Sequence, residues 1–330
     1  MDKHERVRCA LSGKRPDRIP FSFWTHMPGY DLDAYLLAKR TAEMADAYDL
    51  DLIKTMNNGM YSVEDFGCEL DTSRVRLGGI TQLASTPIQG AKDWSKITVK
   101  PITEGALKRE LDSLSILIKE TKGKIPIIFT IMSPMTTAEK LSNGKVVDHL
   151  LDGEANLVES ALDAITETTV NLAKAAISIG AAGIFFASQI EFYGRKDEMF
   201  CRTYETPYDV QVLDATSEGW FNVLHAHGED IMYDILKDYP VHAFNWHVGE
   251  ALPDIDEAKD TLRKCLMGGL IREDITNGNK NNLHNQIYRA IKLSEGKGLI
   301  LTPGCVVRLP LNKSMIEYVQ RTKQALENVL

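Results

Sequence analysis

Short apolar runs alternate with longer amphipathic stretches along the chain, and the alternation predicts strands separated by helices. Near-continuous apolar runs occupy residues 18–24, 51–56, 125–132, 182–187, 220–225, 241–247, 266–272 and 298–302. Such runs are expected of parallel strands covered on both faces, where neither side needs polar residues. Between them the period lengthens. Leu157, Ala161, Ile165, Thr168 and Leu172 recur every three to four residues and predict a helix over 154–179. Similar patterns predict helices over 31–48, 258–264, 283–293 and 313–330.

Eight β-runs alternating with helices predict an α/β fold, a (β/α)8 TIM barrel rather than an open dinucleotide-binding sheet. No Gly-x-Gly-x-x-Gly follows the first run, which weakens the dinucleotide alternative. The spacing is uneven. Residues 57–124 separate the second and third runs and read as an insertion in a βα loop, with an extra hairpin over 75–84 turning at Gly78-Gly79 and a helix near 104–121. Such loops lie at the catalytic face of a barrel, so the insertion is expected to wall the pocket. No repeat or linker divides the chain, and residues 1–330 read as a single domain.

Composition narrows the partners. The formal net charge of -8, without a basic block, argues against nucleic acid. No apolar stretch is long enough to span a bilayer, and the charged start Met1-Asp2-Lys3-His4-Glu5-Arg6 lacks the apolar core of a signal peptide. The five cysteines are scattered and odd in number, which argues against a disulfide framework and for a reduced, cytoplasmic protein. The reading allows a homodimer.

In a barrel, residues just past each strand face the catalytic mouth. Here they are Trp24 and His26; Asn57 and Asn58; Met132 and Ser133; Gln189 and Glu191; His225 and His227; Asn245, Trp246 and His247; Arg272, Glu273 and Asp274; and Cys305. Three of the eight histidines, plus His26, fall in this set. His225 and His227 are two apart, which on a strand puts both rings on one face. With Cys305 after the last run they form a three-ligand zinc site with its fourth position open, the catalytic form of zinc. Glu191 is a fourth ligand or a general base. His247 reaches the substrate as a second catalytic candidate. Trp24, His26, Gln189 and Trp246 are candidate substrate-binding walls. Each has a plainer alternative: a hydrogen-bonded histidine pair, a buried thiol, a solvated loop carboxylate, a surface histidine, a capping tryptophan.

These residues resemble the uroporphyrinogen decarboxylase superfamily over nearly the full length. The likeness rests on Glu5-Arg6-Val7 with Leu11-Ser12-Gly13-Lys14-Arg15-Pro16-Asp17-Arg18-Ile19-Pro20, on Asn245-Trp246-His247, on Leu266-Met267-Gly268-Gly269-Leu270 and on Leu301-Thr302-Pro303-Gly304-Cys305. The resemblance implies a (β/α)8 barrel and two functional branches. True decarboxylases carry arginines after the first strand to grip a polyanionic substrate. Here that segment reads Phe23-Trp24-Thr25-His26-Met27-Pro28-Gly29-Tyr30, without arginine. The other branch holds zinc-dependent methyltransferases with the pattern His-x-Cys-Gly and a distant cysteine. His225, Gly228 and Cys305 match, and His227 replaces the first cysteine. A neutral imidazole in place of a thiolate raises the net charge at zinc by one.

The resemblance therefore implies a zinc-dependent methyltransferase of a corrinoid system. It would move a methyl group between methylcobalamin, or a methylcorrinoid on a partner corrinoid protein, and a small-molecule acceptor such as a thiol activated on zinc. The alternatives are a metal-free decarboxylase of porphyrin biosynthesis, or a non-catalytic barrel that binds a corrinoid or tetrapyrrole.

Overall fold

The computed structural model describes residues 1–189 and 196–329. Its strands are β1 (Ile53–Lys54), β2 (Glu69–Asp71), β3 (Gln82–Ser85), β4 (Ile127–Met132), β5 (Gly183–Ser188), β6 (Val223–Ala226), β7 (Ala243–Trp246), β8 (Cys265–Leu270) and β9 (Leu299–Pro303). Seven of them form one parallel sheet in the order β1-β4-β5-β6-β7-β8-β9. β2 and β3 pair antiparallel as a separate hairpin. The architecture is α/β and TIM-barrel-like.

The first expected strand, over 18–24, is not a ladder. It makes single parallel bridges, Phe21 to Leu301 and Thr25 to Val307. On one side Leu301 N–H donates to Pro20 O at 2.8 Å and Ser22 N–H to Leu301 O at 3.2 Å; on the other, Asp51 N–H donates to Phe21 O at 2.9 Å. The segment thus runs between β9 and the chain entering β1, covering both edges of the curled sheet. Pro20 has no N–H to give a longer ladder.

Strand alternation divides the apolar residues into two cores. Leu52, Met56, Ile128, Phe185, Val223, Ala243, Met267 and Ile300 gather with Trp24 in an inner cluster. Their sequence neighbours Ile53, Ile127, Phe129, Ile184, Phe186, Leu224, Phe244, Leu266 and Leu299 join an outer cluster with the helices. Each fully buried Val, Leu, Ile, Phe or Met side chain among them contributes ~1.5–3 kcal/mol. The helix expected over 154–179 forms at Ala155–Ile179, and its buried stripe Val158, Leu162, Ile165, Leu172 and Ala176 belongs to that outer core. The carboxyl ends of β5, β6, β7 and β9 carry the polar candidates.

Residues 57–124 are only partly additional structure. β1 and β4 are parallel neighbours and so require a crossover; the helix Gly105–Glu120 lies within it. The hairpin is also displaced from the expected 75–84. Its strands are β2 and β3, and Val75–Leu77 is a 3-10 turn in the loop between them.

At the opposite end of the sheet, buried Asp51 ties the chain start to β1. Its Oδ1 accepts from Arg6 and Arg18, both at 2.8 Å, and its Oδ2 from Phe21 N–H at 2.9 Å. This gives the family-like opening segment a structural role.

Candidate metal centre

His225 is the penultimate residue of β6, and Asn245 is its register partner on β7. The His225 Nδ1 lies 2.5 Å from Asn245 Oδ1. Asn245 Nδ2 donates to Met267 O at 2.6 Å and to Pro303 O at 3.4 Å. Those carbonyls fix which end of the amide faces the imidazole, because only the NH2 can donate to them. The imidazole must then carry its proton on Nδ1, leaving Nε2 as a lone-pair donor. This is how a second residue sets the tautomer of a metal-binding histidine.

His227 follows just past β6, and Gly228 turns the chain away with a φ of 125°, a conformation cheap only for glycine. His247 follows β7. Cys305 follows β9 through Gly304, where a Cβ would lie 2.4 Å from Trp246 O and 2.8 Å from the His247 Cα. Only glycine lets the β9 end press this closely on β7, and that approach delivers the thiol. The Cys305 Sγ lies 3.9 Å from His227 Nδ1. One ligand atom from each of His225, His227, His247 and Cys305 falls within 4.8 Å of the others.

The donor set fits a metal ion. His225, His247 and Cys305 are buried, at 4, 4 and 8% exposure. The His247 Nε2 is buried with no hydrogen-bond partner, a state that costs free energy unless something fills it. The rings of His227 and His247 meet edge to face at 4.5 Å, and Phe185 stacks on His225 at 5.1 Å. Burial, followed by the neighbouring imidazoles, pushes His225 well below the ordinary histidine range. Burial and then His227 take His247 down to about 3. Burial and then Arg272 lower His227. All three are therefore neutral near pH 7, the form a metal requires. Burial pushes the Cys305 thiol up, opposed by Arg272 and Lys54.

The other expected site residues divide. Trp24 lies in the inner cluster, 5.6 Å from Phe185. His26 is half-buried and is lowered to about 4 by burial and then Lys54. Trp246 does not wall this pocket. Alternation along β7 turns it to the outer core, where its Nε1 donates to Pro253 O at 2.8 Å. His247 is buried rather than at the surface, and it lies in the same group of possible ligands as His225, His227 and Cys305. Gln189 is half-buried, its N–H donating to Thr136 Oγ1 at 3.0 Å. Glu191 lies outside the described residues.

Two residues of the site escaped the sequence reading. Asn245 was placed at the mouth without a role; its position opposite a histidine on the next strand was the available signal. Lys54 was hidden within an apolar run.

The uroporphyrinogen decarboxylase (URO-D) family model matches residues 2–322. The methylcobamide:CoM methyltransferase MtbA of Methanosarcina acetivorans is 22% identical over 320 residues, covering 91% of each chain. A uroporphyrinogen decarboxylase of Citrifermentans bemidjiense is 22% identical over 300 residues, covering 87% of this chain and 84% of that one. A solved methyltransferase from Methanosarcina mazei shares the fold with a TM-score of 0.84 at 17% identity, over 98% of this chain and 99% of that one.

Proposed function

The chain belongs to the uroporphyrinogen decarboxylase family by the match over residues 2–322, and from that premise we propose that it is a zinc-dependent methyltransferase of a corrinoid system. The observation that carries this reading is the convergence of three imidazoles and a thiol within 4.8 Å, one nitrogen of them buried and unpartnered. The similarity to a methylcobamide:CoM methyltransferase supports it.

In this reading His225 Nε2, a nitrogen of His227 and Cys305 Sγ hold zinc, and His247 Nε2 borders the fourth position. Zinc, when bound, supplies a Lewis acid that lowers the pKa of an acceptor thiol. Asn245 holds the His225 ring in its donor tautomer. Trp24, Phe185 and Gln189 bound the acceptor pocket, and His26 stands beside it uncharged. Glu191 remains a candidate base or ligand. The methyl donor is a methylcorrinoid, free or on a partner corrinoid protein, presented at the barrel mouth. The finer architecture is a (β/α)8 barrel with 20–25 as the irregular eighth strand, in a single domain whose hairpin walls the mouth. No helix among the described residues is long and apolar enough to cross a membrane; a cytoplasmic homodimer is part of the proposal.

The test is metal content on protein purified without a metal-affinity tag, with methyl transfer from methylcobalamin to thiols followed by the corrinoid spectrum. About one zinc per chain, lost in His227→Ala and Cys305→Ser together with transfer, is the expected result. A wild-type protein that takes up no zinc even when it is supplied would sink the mechanism.

A further inference from the structure

The amino ends of the sheet strands, opposite the metal centre, border a cavity of about 530 Å³, a volume suited to a small ligand. Its wall is formed by the residues that lead into β7, β8 and β9, among them His242, Lys264 and Lys297, and by the turn after the helix Lys3–Leu11. Gly298 joins the two parts of the wall. Its φ is 59°, and a Cβ there would lie 3.8 Å from the Gly13 Cα.

Charge sets this cavity apart. Four lining side chains are cationic, Lys259, Arg263, Lys264 and Lys297, and no lining residue is acidic, although the chain carries a formal net charge of -8. A second cavity, of about 470 Å³, mixes the signs and sets Arg18 and Lys323 against Asp17, Asp49 and Glu327.

The four cations are poorly matched. Lys297 pairs with Glu295 at 3.1 Å, but both side chains are more than half exposed, and such pairs contribute little. Lys259 donates to Leu293 O at 2.9 Å, near the end of the helix Lys280–Ser294. Among the described residues, no carboxylate lies within ion-pair distance of Arg263 or Lys264. Burial lowers the Lys264 amine, opposed at longer range by Asp238. Arg263 ends the helix Ile255–Leu262 at a φ of 50°, a position that favours glycine or asparagine. The carboxyl ends of the two helices together carry about one negative charge. With Glu295 and Asp238 added, the four cations still leave an excess.

His242 adds a neutral donor. Its Nδ1 accepts from Asn222 N–H at 3.0 Å, so the proton of the ring sits on Nε2. None of the large exposed apolar side chains belongs to the wall. That favours a dissolved anion over a lipid headgroup, because membrane binding draws on apolar contact as well as charge.

We propose that the base of the barrel is a second ligand site, for a small soluble anion bearing a phosphate or diphosphate group. The guanidinium fork of Arg263 and the ammonium groups of Lys264 and Lys297 surround one multiply charged acceptor with donors, and His242 Nε2–H supplies another. The site lies at the other end of the strands from the ligand cluster, so it does not rest on the metal reading.

The probe is inorganic pyrophosphate, titrated calorimetrically into the full-length protein at pH 7 and physiological salt. Saturable binding of one pyrophosphate per chain, with a rise in melting temperature, is the expected result. Arg263→Gln with Lys264→Gln should weaken it by on the order of ten- to a hundred-fold. Arg263→Lys with Lys264→Arg should retain most of it. Lys297→Gln, on a separate turn, should weaken binding in the same direction and gives the answer if the double variant is unstable. Lys39→Gln with Lys92→Gln removes as much charge elsewhere on the surface and should change nothing. Cys305→Ser should bind pyrophosphate as the wild type does, which separates this site from anion capture by a metal. Undiminished binding in the Arg263 and Lys264 variant, loss of binding in Cys305→Ser, or no saturable binding at physiological salt would overturn the proposal.

Discussion

His225 and Asn245 face each other across β6 and β7 as register partners, with the imidazole Nδ1 2.5 Å from the amide oxygen. The amide is itself locked by the Met267 and Pro303 carbonyls, so the ring is oriented from two further strands. Asn245→Ala should leave the fold intact and lower zinc affinity by roughly ten- to a hundred-fold, the usual effect of losing such a partner. Asn245→Asp keeps an acceptor oxygen for the ring but sets its second oxygen against the Met267 and Pro303 carbonyls, so it should restore only part of the affinity. Competition against a chelator reads both; unchanged affinity in the alanine variant would contradict the orienting role.

The unpartnered His247 nitrogen gives a second expectation. If it ligates the ion, His247→Ala should retain one metal per chain with reduced affinity, and X-ray absorption at the zinc edge should lose one nitrogen scatterer. An identical first shell in the variant would return His247 to a role toward substrate. His225→Ala should lose the metal more completely, because His225 is the better-oriented ligand.

His227→Cys restores the pattern of the methyltransferase branch. A second thiolate lowers the net charge at the metal by one, so the bound acceptor thiol should become less acidic. Its pKa, followed through the pH dependence of thiol binding, should rise relative to the wild type. In the cobalt-substituted protein the thiolate charge-transfer band should grow. A band of wild-type intensity would mean that position 227 does not ligate.

Acid should destabilise the metal-free protein through its buried histidines. His26 sits at about 4 and His247 at about 3, each lowered first by burial, against about 6.5 in the unfolded chain. Below that value the unfolded chain binds protons that the folded one refuses, so these groups reduce stability as pH falls from about 6.5 toward their folded values. Above it they contribute no slope. The melting temperature should drop between pH 7 and 4.5, and His26→Gln should flatten the decline.

Asp51 accepts from Arg6, Arg18 and Phe21 N–H while fully buried. Asp51→Asn leaves two guanidinium groups facing a neutral amide and should cost about 3–5 kcal/mol of stability. Urea unfolding measures the loss. Zinc stoichiometry of the folded fraction should be unaffected, because this network lies at the far end of the sheet from the ligand cluster.

Much of this protein is written in local pattern. Apolar runs became β4, β5, β6, β7, β8 and β9 within a few residues, and the 3.6-residue period found the Ala155–Ile179 helix, because both signals come from single-element geometry. The same logic brought His225, His227 and Cys305 to strand ends. It failed for 18–24, where apolar character was present but Pro20 and neighbouring geometry left only single bridges.

Sequence alone determined that strands of an α/β fold would end in imidazoles and a thiol, since periodicity and turn residues are carried by each segment separately. Tertiary structure decided which side chains share a space. The inward phase of β7 put Asn245 and His247 at the cluster and turned Trp246 away. The close approach at Gly304 set the thiol beside His227. The inward phase of β1 buried Lys54. Each depends on strand phase and packing between segments far apart in the chain, and a one-residue shift in phase would have reversed the assignment.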